Sequence, residues 1–331
     1  MSSMSIGVPV TDGTLAVELR ERIAGVEKEL ADAVRSEHDF VTEAARHVME
    51  AGGKRFRPLV VLLAAQFGDP DAGGVVPAAL VVELTHLATL YHDDVMDEAD
   101  VRRGAPSANA RWTNSIAIMV GDYLFARASD IVSDLGPAAV RIQARTFARL
   151  VQGQIRETIG PSDGEDAYDH YLSVVRDKTA SLVATSARFG AMFAGASPGV
   201  VETLSLYGER LGIAFQLSDD VLDVASETAE SGKTPGTDLR EGVPTLPVLL
   251  AQASDAPEGA RLRELLAEDL RDETRLSEAL RLLRADKSIT EARAEVLRWS
   301  DSARELLVDL PDIPARAALD ALCDLVVART S

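Results

Sequence analysis

Twice the chain spells Asp-Asp-x-x-Asp: Asp93, Asp94 and Asp97 in HDDVMD, and Asp219, Asp220 and Asp223 in SDDVLD. On a helix, side chains four apart share a face, so Asp93 with Asp97 and Asp219 with Asp223 each offer two carboxylates one turn apart. Such a pair suits a hard cation. Apolar neighbours (Leu87, Leu90, Val95 and Met96; Phe215, Leu217, Val221 and Leu222) set these acids at the ends of core helices, where unpaired carboxylates are costly. Mg2+ takes a few carboxylates, several waters and substrate phosphate oxygens, so two acidic clamps imply a diphosphate held between them through the metal. With five His and a single Cys, Cys323, zinc and redox metals are poor alternatives. His92 beside Asp93 admits another reading, a phosphohydrolase with a His-Asp metal pair, but that leaves the second Asp motif idle.

The cations point the same way. Three of the few lysines sit in distinctive contexts: Lys54 in GGKRFRP, Lys178 in RDKTAS and Lys233 in SGKTPGTD. An ammonium is a point charge for phosphate and a guanidinium a bidentate fork; Arg55 and Arg57, with Arg102 and Arg103 just after the first Asp motif, complete a cationic set. Lys plus Arg total 34 against 53 Asp plus Glu, a net charge of −19, which argues against nucleic acid or an anionic membrane surface as the main partner. Against that acidic background, local basic clusters stand out.

The elements that must position these groups read as helices. The composition is 46% hydrophobic but 5% aromatic, dominated by Ala, Leu and Val, which favours helix over strand. Helical spacing and Pro or Gly punctuation predict helices over 14–37, 59–67, 78–97, 114–135, 137–159, 165–194 and 198–226, with charged segments near 261–283 and 290–308 packed outside them. Two Gly-, Pro- and charge-rich loops, 98–113 and 227–243, each follow an Asp-rich helix end, a common setting for function. Residues 1–13 are expected to be a flexible tail and 14–331 a single all-α catalytic domain. The first dozen residues hold no basic residue and so resemble neither a signal nor a transit peptide. Uninterrupted apolar runs stop well short of the roughly 18 residues of a membrane span. One cysteine fits a reducing compartment.

Five segments resemble, in order and spacing, the (E)-polyprenyl diphosphate synthases: GGKRFRP (52–58), HDDVMDEADVRRG (92–104), GDYLFARAS (121–129), the Lys178-Thr179 pair, and FQLSDDVLD followed by GKTPGTDLREG (215–242). That resemblance implies an all-α bundle around a deep central cavity, a homodimer, and head-to-tail condensation of isopentenyl diphosphate with an allylic diphosphate. It assigns Asp93, Asp97 and Asp219 to Mg2+, three ions per site with substrate bound, supported by Asp94, Asp220 and Asp223. Lys54, Arg57, His86 and Arg103 match the isopentenyl diphosphate site. Arg102, Lys178, Thr179, Gln216 and Lys233 match the allylic diphosphate site. Many relatives read DLREGK where this chain has Val243, so weaker allylic binding or compensation by Arg240 is expected. In short-chain relatives an aromatic stands four or five residues before the motif; here Thr89 and Ala88 do, with Thr85 close to the same stripe. An all-trans product longer than farnesyl is therefore expected, made in the cytoplasm with transient membrane contact at product release. A terpene cyclase usually lacks GGKRxRP and a second DDxxD, and a non-catalytic subunit of a heteromeric synthase loses the Asp motifs; this chain retains all of them.

Overall fold

The computed structural model describes residue 10 and residues 12–225, 235–254 and 256–330. Among them the regular structure is helical, apart from two strands of two residues each. The all-α expectation holds. The chain divides into two compact units, one of Met1–Arg149, Ser181–Glu209 and Leu306–Leu322, the other of Leu150–Ala180, Arg210–Glu305 and Cys323–Ser331.

The first unit begins with α1 (Gly13–Ala33), which Asp12 caps by accepting from Leu15 N at 2.9 Å, and which buries Leu15, Leu19, Ile23, Val26 and Leu30. Next come α2 (Asp39–Glu50), α3 (Phe56–Ala65) and α4 (Val75–Met96). A hairpin of β1 (Val101–Arg102) and β2 (Ala105–Pro106) leads to α5 (Ala108–Arg111), α6 (Asn114–Asp134) and the first part of α7 (Pro137–Ile159). α3 and α4 are apolar on most faces, and Pro58 through Ala65 are all buried; such helices need neighbours all round. α4 runs along α6, and α3 lies against α9 (Ser181–Phe193). Gly190 of α9 and Gly208 of α10 (Pro198–Ala225) leave no room for a Cβ against Val61 O and Val183 O, so these backbones approach directly.

α4 is the one helix among the described residues long and apolar enough to cross a membrane, and 67% of its most apolar window is buried in the protein. Counting uninterrupted apolar runs overlooked it, because Glu83, Thr85 and His86 break the run without ending the helix.

The second unit holds the end of α7, α8 (Ala167–Val175), a π-helical turn (Arg176–Ala180), the end of α10, α11 (Thr237–Glu241) and α12 (Leu246–Ala253). It continues with α13 (Ala260–Leu266), α14 (Glu273–Ala285), α15 (Lys287–Leu306) and the last turn of α16 (Pro314–Ala328). Its core joins Val224, Leu239, Val248, Leu262, Leu265, Leu276 and Leu283. The charged segment predicted near 261–283 thus buries its apolar side in a core shared with the end of α10, α11 and α12.

Several predictions need correction. The helix expected over 165–194 is interrupted by the π turn, the loop expected over 98–113 contains the hairpin and α5, the segment near 261–283 is two helices, and α2, α12 and α16 lie outside the predicted ranges. The tail residues 1–9 and 11, and 226–234 of the second loop, lie outside the described residues.

Candidate active site

The last turns of α4 carry the first acidic motif. Asp94 is fully buried and accepts from Arg102 Nε at 2.6 Å and Nη2 at 2.5 Å, while its Oδ2 has no partner. Burial pushes the Asp94 carboxyl up, against the pull of Arg102. Asp93 is half-buried, and Asp97 closes the helix, its N–H donating to Asp93 O at 2.8 Å. Asp93 and Asp97 are therefore accessible, while Asp94 faces inward and holds Arg102.

Above this turn lies a cationic cluster. Arg103 donates to Gly52 O, and a Cβ on Gly53 would fall 2.7 Å from Arg103 Nη1 and 2.9 Å from Arg55 Nη1. Glycine at 53 is what lets two guanidiniums close over the backbone. His86 of α4 is held neutral: burial first, then the charges of Arg57, Arg103, Arg102 and Arg55, keep its imidazole well below 6.5. Arg55 has a different task. At φ 47° it starts α3 and points inward, with Nη1 3.2 Å from Glu83, Nε 3.2 Å from Glu27 and Nη2 2.9 Å from Met49 O. Lys54 is exposed beside it and Arg57 is half-buried.

In the second unit the π turn sets Lys178 and Thr179. A π turn widens a helix and often marks a functional segment. Gly153 of α7 makes space for it, since a Cβ there would fall 2.6 Å from Lys178 N. Lys178 Nζ engages Glu157. Thr179 Oγ1 donates to Gln216 Oε1 at 3.0 Å, and Gln216 Nε2 donates to Asp220 Oδ1 at 2.9 Å. Asp220 also accepts from Tyr171 OH and from Leu246 N at 3.5 Å. Burial, then the charge of Asp238, pushes the Asp220 carboxyl up to about 7. Asp223 accepts from Thr237 N at 3.3 Å and Asp238 N at 3.2 Å, so it organises the segment that starts α11. Asp219 faces a cation, Arg329 Nη2 at 2.5 Å, whose guanidinium also lies 4.8 Å from the Phe215 ring centroid.

Arg329 was missed by sequence reading, and so were Tyr171 and Gly153. Lys233 lies outside the described residues. Arg240 is turned to Glu273 at 2.6 Å, which leaves it a poor substitute for the lysine that Val243 replaces. His92 packs across Gly121 on α6, with Nε2 3.2 Å from Ile118 O; this is a helix-packing role that removes the basis of the phosphohydrolase reading. Thr85 is buried and accepts from Gln143 Nε2 at 2.5 Å, Ala88 is buried, and Thr89 donates to His86 O at 2.8 Å.

Among the described residues no three His, Cys, Asp or Glu side chains converge closely enough to hold an ion unaided. The exposed donors are carboxylate oxygens, and one already binds a guanidinium. This fits Mg2+, which completes its shell with water and phosphate oxygens rather than an all-protein cage.

The class defined by this fold and these side chains is the all-α prenyltransferases. The chain belongs to one family within it, the polyprenyl synthetases, whose profile matches residues 38–283. It is 50% identical over 324 residues to the nonaprenyl diphosphate synthase of Mycobacterium tuberculosis, covering 98% of this chain and 97% of that one. To the octaprenyl diphosphate synthase of Escherichia coli it is 33% identical over 308 residues, 93% of this chain and 95% of that one. The crystal structure of geranylgeranyl pyrophosphate synthase from Corynebacterium glutamicum, complexed with calcium and isoprenyl diphosphate, matches with a TM-score of 0.87 and 45% identity over 97% of this chain and 98% of that one. A decaprenyl diphosphate synthase from Rhodobacter capsulatus matches with a TM-score of 0.87 and 38% identity, covering 96% and 99%.

Proposed function

We propose that this protein condenses isopentenyl diphosphate head-to-tail with an allylic diphosphate in a Mg2+-dependent reaction, giving an all-trans prenyl diphosphate longer than farnesyl. The observation that carries the reading is the pair of guanidiniums beside the first acidic motif, Arg102 held by buried Asp94 and Arg103 by the Gly52 carbonyl, in a chain of net charge −19. Lys54, Arg57 and Arg103 hold the isopentenyl diphosphate, and His86, kept neutral, donates a hydrogen bond to it. Arg102, Lys178 and Lys233 bind the allylic diphosphate. Asp93, Asp97 and Asp219 hold Mg2+, three ions per site with substrate bound, and the metal supplies charge neutralisation to the departing diphosphate.

The allylic C–O bond breaks and its electron pair leaves with the diphosphate. The allylic carbon, now cationic, faces the oxygens of Thr179 and Gln216, fixed dipoles that stabilise charge without reorganising. The isopentenyl double bond attacks that carbon, and the proton lost next is taken by the released diphosphate. Asp94, Asp220 and Asp223 position their neighbours rather than ligate.

Product length follows from Ala88 and Thr89, which leave the stripe above Asp93 without an aromatic barrier, and from Thr85 one turn further. Residues 14–331 act as one catalytic domain, and the protein works in the cytoplasm as a homodimer, touching a membrane transiently at product release. Exposed Ile118 and Met119 on α6 and Val140, Val151 and Ile155 on α7 support the homodimer, because bare apolar faces favour association. Incubation with Mg2+, isotopically labelled isopentenyl diphosphate and an allylic primer tests the reading. Label in a lengthened prenyl product is expected; diphosphate release without one would reject it.

A further inference from the structure

We propose that His47, which belongs to no substrate site, is a positioning residue for Arg102 and Arg103. This rests on the reading above, in which those arginines bind diphosphate. Arg102 ends β1 and Arg103 opens the hairpin turn, in which Arg103 and Gly104 both have positive φ, 55° and 78°, the signature of a type I′ turn. Arginine in that conformation is strained, and strands of two residues have no stability of their own. The hairpin must therefore be held from outside.

Arg102 binds Asp94, Arg103 binds the Gly52 carbonyl, His47 Nε2 lies 2.7 Å from Pro106 O, and Ser107 closes the base of the hairpin on Asp100 O at 2.9 Å and on Ala99 O. The arginine contacts are made by the guanidiniums that an incoming diphosphate would claim. The Ser107 bonds close the hairpin on its own flank, and the His47 contact ties β2 to α2. When Arg102 and Arg103 turn to an anion, the His47 contact keeps β2 fixed against α2.

The chemistry around His47 fixes its tautomer. Arg111 Nη1 lies 3.0 Å from His47 Nδ1; a guanidinium only donates, so Nδ1 accepts and Nε2 carries the proton that goes to Pro106 O. Glu43 pairs with Arg111, and Trp112 meets the imidazole edge-on, centroids 5.1 Å apart. The ring is thus oriented from three sides, and α2 becomes the post that fixes the hairpin.

The test compares wild type, His47→Ala, His47→Gln and Arg103→Ala, all full-length, by calorimetric Kd for isopentenyl diphosphate, by steady-state KM and kcat, and by thermal unfolding. His47→Ala is expected to raise Kd and KM about tenfold while kcat stays within about twofold. Glutamine keeps an N–H for Pro106 O but no ring nitrogen for Arg111, so His47→Gln should restore Kd and KM to within about threefold of wild type while unfolding at the same temperature as His47→Ala. Unchanged Kd in His47→Ala, with binding lost in Arg103→Ala, would overturn the positioning role alone. Equal weakening in His47→Ala and His47→Gln would overturn the donor role. No binding by wild type, or none lost in Arg103→Ala, would overturn the diphosphate reading and this proposal together.

Discussion

Arg102 and Asp94 show how one side chain serves two demands. Asp94 is fully buried, and the two nitrogens of Arg102 compensate only one of its oxygens. Removing one partner of a buried pair strands the other, so Arg102→Ala should cost about 3 kcal/mol in urea denaturation at pH 7, with Arg102→Ala/Asp94→Asn recovering much of that loss. His86 predicts a pH dependence. Its folded pKa lies below the ordinary 6.5, so below that pH the unfolded chain takes up the proton first. The contribution is complete above about pH 6.5 and is lost as pH falls toward the folded value; His86→Gln should flatten that limb of the stability profile. The acidic motifs were legible because type and spacing are local. The division of labour within GGKRFRP was not: Arg55 turns to Glu83 and Glu27 because its backbone is left-handed, and nothing in its residue type marks that.

The π turn is where an element, rather than a residue, does the positioning. It inserts itself against Gly153, and the pattern over 165–194 reads as one helix because the widening changes the hydrogen bonding without changing the periodicity enough to see. Alanine at 153 would gain roughly 1 kcal/mol of helix propensity yet would push on Lys178 N. Gly153→Ala should therefore lower the melting temperature, because the backbone clash outweighs the propensity gain, and should also lower kcat by about tenfold or more, measured by steady-state assay with saturating substrates. The hairpin escaped notice for a related reason: Arg103 stands where type I′ turns usually take Asn or Gly, so Gly104 and Pro106 mark a loop without the Asn-Gly signature of a hairpin. By contrast α7 was legible to the residue, because Pro137 opens it and Gly160 follows Ile159.

At the scale of the whole chain, the acidic composition and the cationic clusters are reconciled by placement. Most acids face water, while Asp94, Asp220 and Asp223 face inward and hold donors. Asp219 meets Arg329 across a sequence separation of 110 residues, a partnership that no local pattern reveals. A guanidinium and a metal compete for the same oxygen, so Arg329→Ala should lower the Mg2+ concentration for half-maximal activity a few-fold, read from a metal titration of the prenyl-transfer rate. Product length is the most exacting reading of the chain, since it depends on small residues above the first Asp motif acting together. Mass spectrometry of the products formed by wild type and by Ala88→Phe from isopentenyl diphosphate, an allylic primer and Mg2+ tests it most directly. Prenyl diphosphates longer than farnesyl are predicted for wild type, and shorter ones for Ala88→Phe. Farnesyl as the longest wild-type product, or free diphosphate with no lengthened prenyl chain, would contradict it.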